Sequence, residues 1–315
     1  MSGNFLKPGK TVYSEWFREY RLSDTELKQL QNCLLGIFAD IRELCDEHGI
    51  GYMMCGGTLL GTVRHKGFIP WDDDIDIMML RSDFEKFVQV LQKEQRAGRY
   101  TDYELAVPCV SEGYYFKIPK LYAKNTEYRS VSYMGNPGYN MVAVDIFVVE
   151  PVPQNHLRRL LRGLIYDLAF YASAFCLDYL HPSPVIMEKC GSNREIRRYY
   201  RFRRNVGCIF SHIGGIRLYL KICDRLGRYS GRSAYMGTPA DISYRQGIFP
   251  KELFTETARG EFCGLSVIIP KDYDSYLRDQ YGDYMTEPPE HEREIHVAYS
   301  MDVAKALREP EPDVQ

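Results

Sequence analysis

The chain predicts a mixed α/β fold, and three observations carry the prediction. A long helix with one apolar stripe comes first. Short apolar runs of strand length then alternate with helical spacing up to about residue 150. A helical block follows, before a polar C-terminal segment. The length of 315 residues, 45% apolar and 26% charged, fits one large domain or two intimate ones. The expected division is a core over 1–150, a mainly helical, basic block over 151–230, and a C-terminal segment over 231–315 that packs on the core.

Ser23-Asp24-Thr25-Glu26 opens the first helix as a capping box. Leu27, Leu30, Leu34, Ile37, Ile41 and Leu44 then recur at spacings of three and four, and Gly49 stands where a helix ends. Ile50–Cys55 reads as a buried strand that runs through Gly56-Gly57 into a helix over Thr58–His65. The segment from Asp72 to Leu80 alternates acidic and apolar residues and reads as a strand, with Asp74 and Asp76 on one face. Helical spacing resumes over Asp83–Leu91. Tyr114–Tyr122 and Met141–Val149 read as further strands, closed by Pro151 and Pro153, and Asp272–Gly282 reads as a last helix.

Forty basic against 42 acidic side chains leave a net charge of −2, which argues against a nucleic-acid binder. Residues 1–20 hold no apolar signal-peptide core, and nine scattered cysteines form no CxxC pair. Together these lead us to expect a cytoplasmic protein without a disulfide framework or a structural zinc site. The apolar stretch Gly163–Leu180 is interrupted by Asp167 and Asp178, and reads as too short and too polar to span a bilayer. Lys189–Arg228 carries eleven basic residues against two acidic ones. It is either a solvated helix face or a contact for an anionic acceptor or membrane surface.

The chemistry concentrates in the core. Gly56-Gly57 at a strand–helix junction makes a tight turn, or lets backbone N–H groups approach an anion. Asp74 and Asp76 lie among Ile75 and Ile77, where unpaired carboxylates are costly, and Asp145 repeats the pattern inside Val144–Val149. Carboxylates on one face repel unless a cation lies between them, so a divalent metal, Mg²⁺ or Mn²⁺, is the economical reading. Asp72 and Asp73 follow Pro70-Trp71 and read as turn residues supporting the site. Metal-held carboxylates suit phosphoryl transfer. They also suit a glycosyltransferase that uses a nucleotide-sugar.

The run Gly56-Gly57-Thr58-Leu59-Leu60-Gly61-Thr62-Val63-Arg64-His65-Lys66-Gly67-Phe68-Ile69-Pro70-Trp71-Asp72-Asp73-Asp74-Ile75-Asp76-Ile77 closely resembles the signature of the LicD family. These are phosphocholine-type transferases related to the fukutin group and built on the nucleotidyltransferase fold. The resemblance continues through Lys117, Asn125-Thr126 and Val144-Asp145-Ile146-Phe147 to Tyr281-Gly282-Asp283-Tyr284-Met285, Pro288-Pro289 and His296. One departure is Val148-Val149-Glu150, where family members often carry Pro-Leu-Asp.

The resemblance implies transfer of phosphocholine, or a related phospho-alcohol, from a CDP-linked donor such as CDP-choline to a glycan hydroxyl, with release of CMP. The same fold also makes CDP-compounds by nucleotidyl transfer. Asp74, Asp76 and Asp145 would hold the metal, and Asp145 would take the acceptor's proton. Gly56, Gly57 and Thr58 would cradle phosphate. Arg64, His65, Lys66 and Lys117 would balance its charge, and His296 would contact substrate. A quaternary ammonium group needs an aromatic cage, for which Tyr114-Tyr115, Tyr199-Tyr200, Tyr281, Tyr284 and Trp71 are candidates. A lipid-linked glycan acceptor at the inner face of the cell membrane would engage the basic block Lys189–Arg228.

Overall fold

The computed structural model describes residues 15–131, 138–239, 244–245, 247–293 and 297–303. It is an α/β protein. The first helix, α1 (Asp24–His48), begins as its sequence dictates: the Ser23 hydroxyl accepts from the Glu26 amide, and the Glu26 carboxylate accepts from the Ser23 amide. It ends at Gly49, whose φ of 59° is the left-handed conformation that glycine adopts without strain. Its stripe of Leu30, Leu34, Ile37, Ile41 and Leu44 is buried in the main core.

A seven-stranded mixed sheet forms the centre. Its main path is β1 (Met53–Met54), β2 (Asp76–Leu80), β6 (Ala143–Pro151), β4 (Lys120–Ala123) and β3 (Tyr103–Ala106). Only β2 and β6 run parallel; the other neighbours are antiparallel. The far end of β6 pairs with β7 (Tyr235–Gly237), which pairs with β8 (Ile248–Pro250). Helix α2 (Gly56–Arg64) follows β1, and α3 (Arg81–Arg96) follows β2. Strand β5 (Glu127–Ser130) pairs with the C-terminal β11 (Ala298–Asp302), and β9 (Thr257–Phe262) makes a hairpin with β10 (Leu265–Pro270). Phe254, Phe262, Val267 and Leu277 enter the same core as Ile77 and Ile146, so the C-terminal segment packs on the sheet.

The helical block has its own core of Tyr166, Ala172, Cys176, Leu220 and Cys223. It contains α4 (His156–Leu180), α5 (Pro184–Ser192), α6 (Arg194–Ile213) and α7 (Gly215–Gly227). Gly207 on α6 meets α4 so closely that a Cβ there would lie 1.9 Å from the Phe175 carbonyl oxygen. One expectation needs correcting. Asn155 caps α4 eight residues before Gly163, giving a helix of 25 residues that is long and apolar enough to cross a membrane. Asp167 and Asp178 do not interrupt it. They face inward or sideways, where Arg245 and Arg203 neutralise them.

Three strands are shorter than their sequence patterns. The Asp72–Leu80 pattern becomes strand only from Asp76, so Asp74 sits in the preceding turn rather than on the pleat. Tyr114–Tyr122 becomes strand only after Pro119, which has no N–H for a ladder. The run Ile50–Cys55 is reduced to Met53–Met54.

Candidate active site

The centre of the sheet brings three charged residues side by side. Asp76 on β2 is the register partner of Asp145 on β6, and Asp145 is the register partner of Lys120 on β4. Register partners project from the same face of a sheet, so this row is built by the backbone. The Lys120 ammonium donates to Asp145 at 2.7–2.8 Å from both carboxylate oxygens. The sequence pointed instead to Lys117, whose ammonium lies 4.1 Å from the centre of the Phe170 ring. Lys120 was the harder lysine to find, because the strand starts at that residue rather than at Tyr114.

The turn before β2 adds more negative charge. Asp72, Asp73 and Asp74 each offer a carboxylate oxygen, and all three oxygens lie within 4.8 Å of one another. Among the described residues they form an acidic group close enough to share one ion, while Asp145 is engaged by Lys120. Asp72 and Asp73, read as supporting turn residues, therefore stand beside Asp74 as direct candidates for a cation. Gln31 on α1 fixes the turn by donating to the Asp72 carbonyl at 2.9 Å. Loss of water pushes the Asp76 pKa well above the usual carboxylate range. The charges of Asp74, Asp145 and Asp72 push it the same way, against Lys120. Such crowding suits a hard divalent cation with oxygen ligands.

The double glycine meets the carboxylates directly. A Cβ on Gly56 would lie 2.8 Å from Asp76 Oδ2, and one on Gly57 would lie 2.9 Å from Asp72 Oδ2. Gly56 also has φ +54°, and its N–H donates to the Tyr276 hydroxyl at 3.3 Å. Buried Thr58 accepts from the Asp76 amide at 2.8 Å, so its hydroxyl positions β2. What these residues visibly do is admit and hold aspartates.

Arg64, His65 and Lys66 close the end of α2 against the C-terminal segment. Arg64 donates to the Tyr284 carbonyl at 2.7 Å, and its partial burial lowers its pKa. His65 pairs with Glu287 at 3.1 Å, and the Lys66 carbonyl accepts from the Cys263 amide. Arg293 lies over Trp71, 4.0 Å from the ring centre. His296 lies outside the described residues.

Two tyrosines border the acidic group. Tyr128 donates to Asp73 at 2.7 Å. Desolvation and the charges of Asp76, Asp72 and Asp74 push the Tyr281 hydroxyl well above its usual pKa, although the ring is partly exposed. On the Tyr128 side opens a cavity of about 350 Å³. Asp73, Asp74, Asp145, Lys117 and Lys120 supply its charges, and Tyr115, Phe116, Tyr122, Tyr139 and Phe170 supply aromatic walls. Of the tyrosines singled out from the sequence, Tyr115 lines this cavity and Tyr114 is buried. Tyr200 belongs to a separate core, where Tyr199 packs on Trp16, and Tyr284 donates to Asp274. The cavity lining was legible only in part, because Phe170 comes from the helical block.

Residues 49–183 match the family described as LicD/FKTN/FKRP, nucleotidyltransferase domain. The chain is 28% identical over 278 residues to the lipopolysaccharide cholinephosphotransferase LicD of Haemophilus influenzae, covering 86% of this chain and 95% of that relative. It is 35% identical over 96 residues to an uncharacterized protein of Rickettsia prowazekii, covering 30% of this chain and 35% of that one. A Rickettsia typhi protein, also uncharacterized, is 38% identical over 88 residues, which cover 28% of this chain and 27% of that one.

Proposed function

Because the chain belongs, through residues 49–183, to the LicD family, we propose that it is a transferase that moves phosphocholine from CDP-choline to a glycan hydroxyl. A related CDP-alcohol would serve the same chemistry. The relative from Haemophilus influenzae, a lipopolysaccharide cholinephosphotransferase matched along most of both chains, supports this reading. The observation that carries it is the placement of Asp73, Asp74 and Asp145 at the wall of an aromatic-lined cavity. Charge for a phosphoryl group and rings for a quaternary ammonium head thus share one space.

Asp74, Asp76 and Asp145, with Asp72 and Asp73 beside Asp74, would hold Mg²⁺ or Mn²⁺: the three turn carboxylates lie within reach of one another, and Asp76 is crowded by Asp74, Asp145 and Asp72. When bound, the metal supplies neutralisation of charge on the transferring phosphoryl group. The chain's own residues do the rest. Lys120 orients Asp145, and Asp145 accepts the proton of the attacking hydroxyl. A new P–O bond forms to the glycan as the pyrophosphate P–O bond breaks, and CMP leaves with the bridging oxygen. Lys117, at the cavity wall, binds the donor's phosphates. The acceptor in this reading is a glycan, lipid-linked at the inner face of the cell membrane.

The test incubates the protein and Mg²⁺ with a panel of CDP-alcohols, with and without glycan acceptors, and follows the released nucleotide. CMP release from CDP-choline that rises with acceptor supports the proposal. Pyrophosphate release from CTP and an alcohol phosphate, or UDP release from a UDP-sugar, would replace it with nucleotidyl or glycosyl transfer.

A further inference from the structure

Over the first half of helix α4, one face is buried and another exposes an apolar stripe that begins beside Arg158. Tyr166, Ala169, Ala172 and Cys176 turn inward. Leu157, Leu161, Leu164, Ile165 and Leu168 are exposed, Leu168 by 63%. At 100° per residue these five fall within about a third of the helix circumference, and between residues 159 and 180 every exposed position on α4 is apolar. A single exposed leucine is ordinary on a soluble protein, whereas a stripe of this length marks an interaction surface.

The α6–α7 pair continues this surface. Gly207 packs on Phe175, and Cys223 reaches the Tyr166 carbonyl at 3.7 Å. The 82° bend between α6 and α7 therefore lies alongside the middle of α4. That bend exposes Ile209, Ile213 and Leu218. On α7 the exposed charges next to it are Arg217, Lys221 and Arg225, and farther back α6 exposes Arg194, Arg197, Arg198 and Arg201 against Glu195.

We propose that this face is a membrane seat: α4 lies in the plane of an anionic bilayer with its stripe submerged about 5–10 Å and the basic residues at the headgroups. Helix α4 does not cross the bilayer, because its inward face is part of the block's core and its Asp178 is paired with Arg203 on α6. The excess of positive charge selects the occupant. It attracts anionic lipid and repels a second copy of the same face. This goes beyond electrostatic contact through Lys189–Arg228, since the apolar stripe lies outside that segment. It is also independent of the transferase reading.

The full chain is sedimented with phosphatidylcholine vesicles containing about a third phosphatidylglycerol, at about 0.05 M and 0.5 M salt. The wild type should bind, and part of that binding should survive high salt. The combined Leu161→Glu, Leu164→Glu, Leu168→Glu variant, with an unchanged melting temperature, should bind about tenfold less or weaker still at both salts. Leu164→Trp, a milder change, should blue-shift on vesicle addition and be quenched by brominated lipid. Wild type that stays in the supernatant, a triple variant that binds undiminished, or an unquenched Trp would overturn the proposal. So would a wild-type dimer that the triple variant splits while neither protein binds vesicles.

Discussion

Asp76 and Asp145 face each other as register partners on the parallel pair β2–β6 of the central sheet, and Lys120 flanks Asp145 from the antiparallel strand on its other side. Register partners on neighbouring strands lie level whatever the strand direction, so residues distant in sequence meet in one row. Every prediction about this site starts from that row.

Asp76→Asn should lower CMP release about a thousandfold or more, yet raise the melting temperature by about 2–4 °C in chelator, because it removes a charge crowded by its neighbours. Calorimetry with and without EDTA, beside a turnover assay, checks both. A variant that loses stability in EDTA would show that the crowding is already relieved.

The pH dependence has a definite sign. Burial and the carboxylates of Asp74, Asp145 and Asp72 raise the Asp76 pKa well above its unfolded value of about 4. The folded chain therefore holds this proton more tightly than the unfolded one. The stability that results is fully present below the unfolded pKa and is lost as pH rises through the folded pKa. In EDTA, the Asp76 contribution to the melting temperature should fall as pH rises above the unfolded value of about 4. Mg²⁺ or Mn²⁺ should reverse that fall, by about 2.7 kcal/mol at a hundred times the dissociation constant. The difference between wild type and Asp76→Asn across pH, measured by thermal shift, isolates this group.

Lys120→Met leaves Asp145 without its ammonium partner and should cost about 1–3 kcal/mol, the pair being partly exposed. Divalent cation should restore more stability to this variant than to the wild type. Equal rescue of the two proteins would mean that Asp145 takes no part in holding the ion.

Gly56→Ala should cost about 1–3 kcal/mol and weaken cation binding about tenfold, since its Cβ would meet Asp76 Oδ2 from a left-handed backbone. Gly36→Ala serves as the control, because a Cβ there meets nothing within 4 Å. Isothermal titration with Mn²⁺ on both variants compares them directly.

Much of this arrangement was readable from residue order. Ser23 and Glu26 announced α1, and an aspartate inside Val144–Val149 announced a buried carboxylate. Gly56-Gly57 was visible as a close approach, but its partner was not: the pattern suggested phosphate, and the backbone meets Asp76 and Asp72. Asp72 and Asp73 were readable as turn residues after Pro70-Trp71, but not their nearness to Asp74, because alternation placed Asp74 on a strand that starts only at Asp76. Lys120 was missed because Pro119 delays the strand. The cavity wall at Phe170 and the β9–β10 hairpin depend on contacts between distant segments, which no local period encodes.

The bond between Lys120 and Asp145 also bears on the sequence of loading. An ion that takes one oxygen of Asp145 would leave the Lys120 ammonium on the other, and that ammonium shares the cavity with Lys117. The positive charge so released would be a docking point for an anion, and arrival of the first ligand would prepare the reception of the second. In the proposed transfer, loading would then be ordered, with the inorganic partner entering ahead of the organic one.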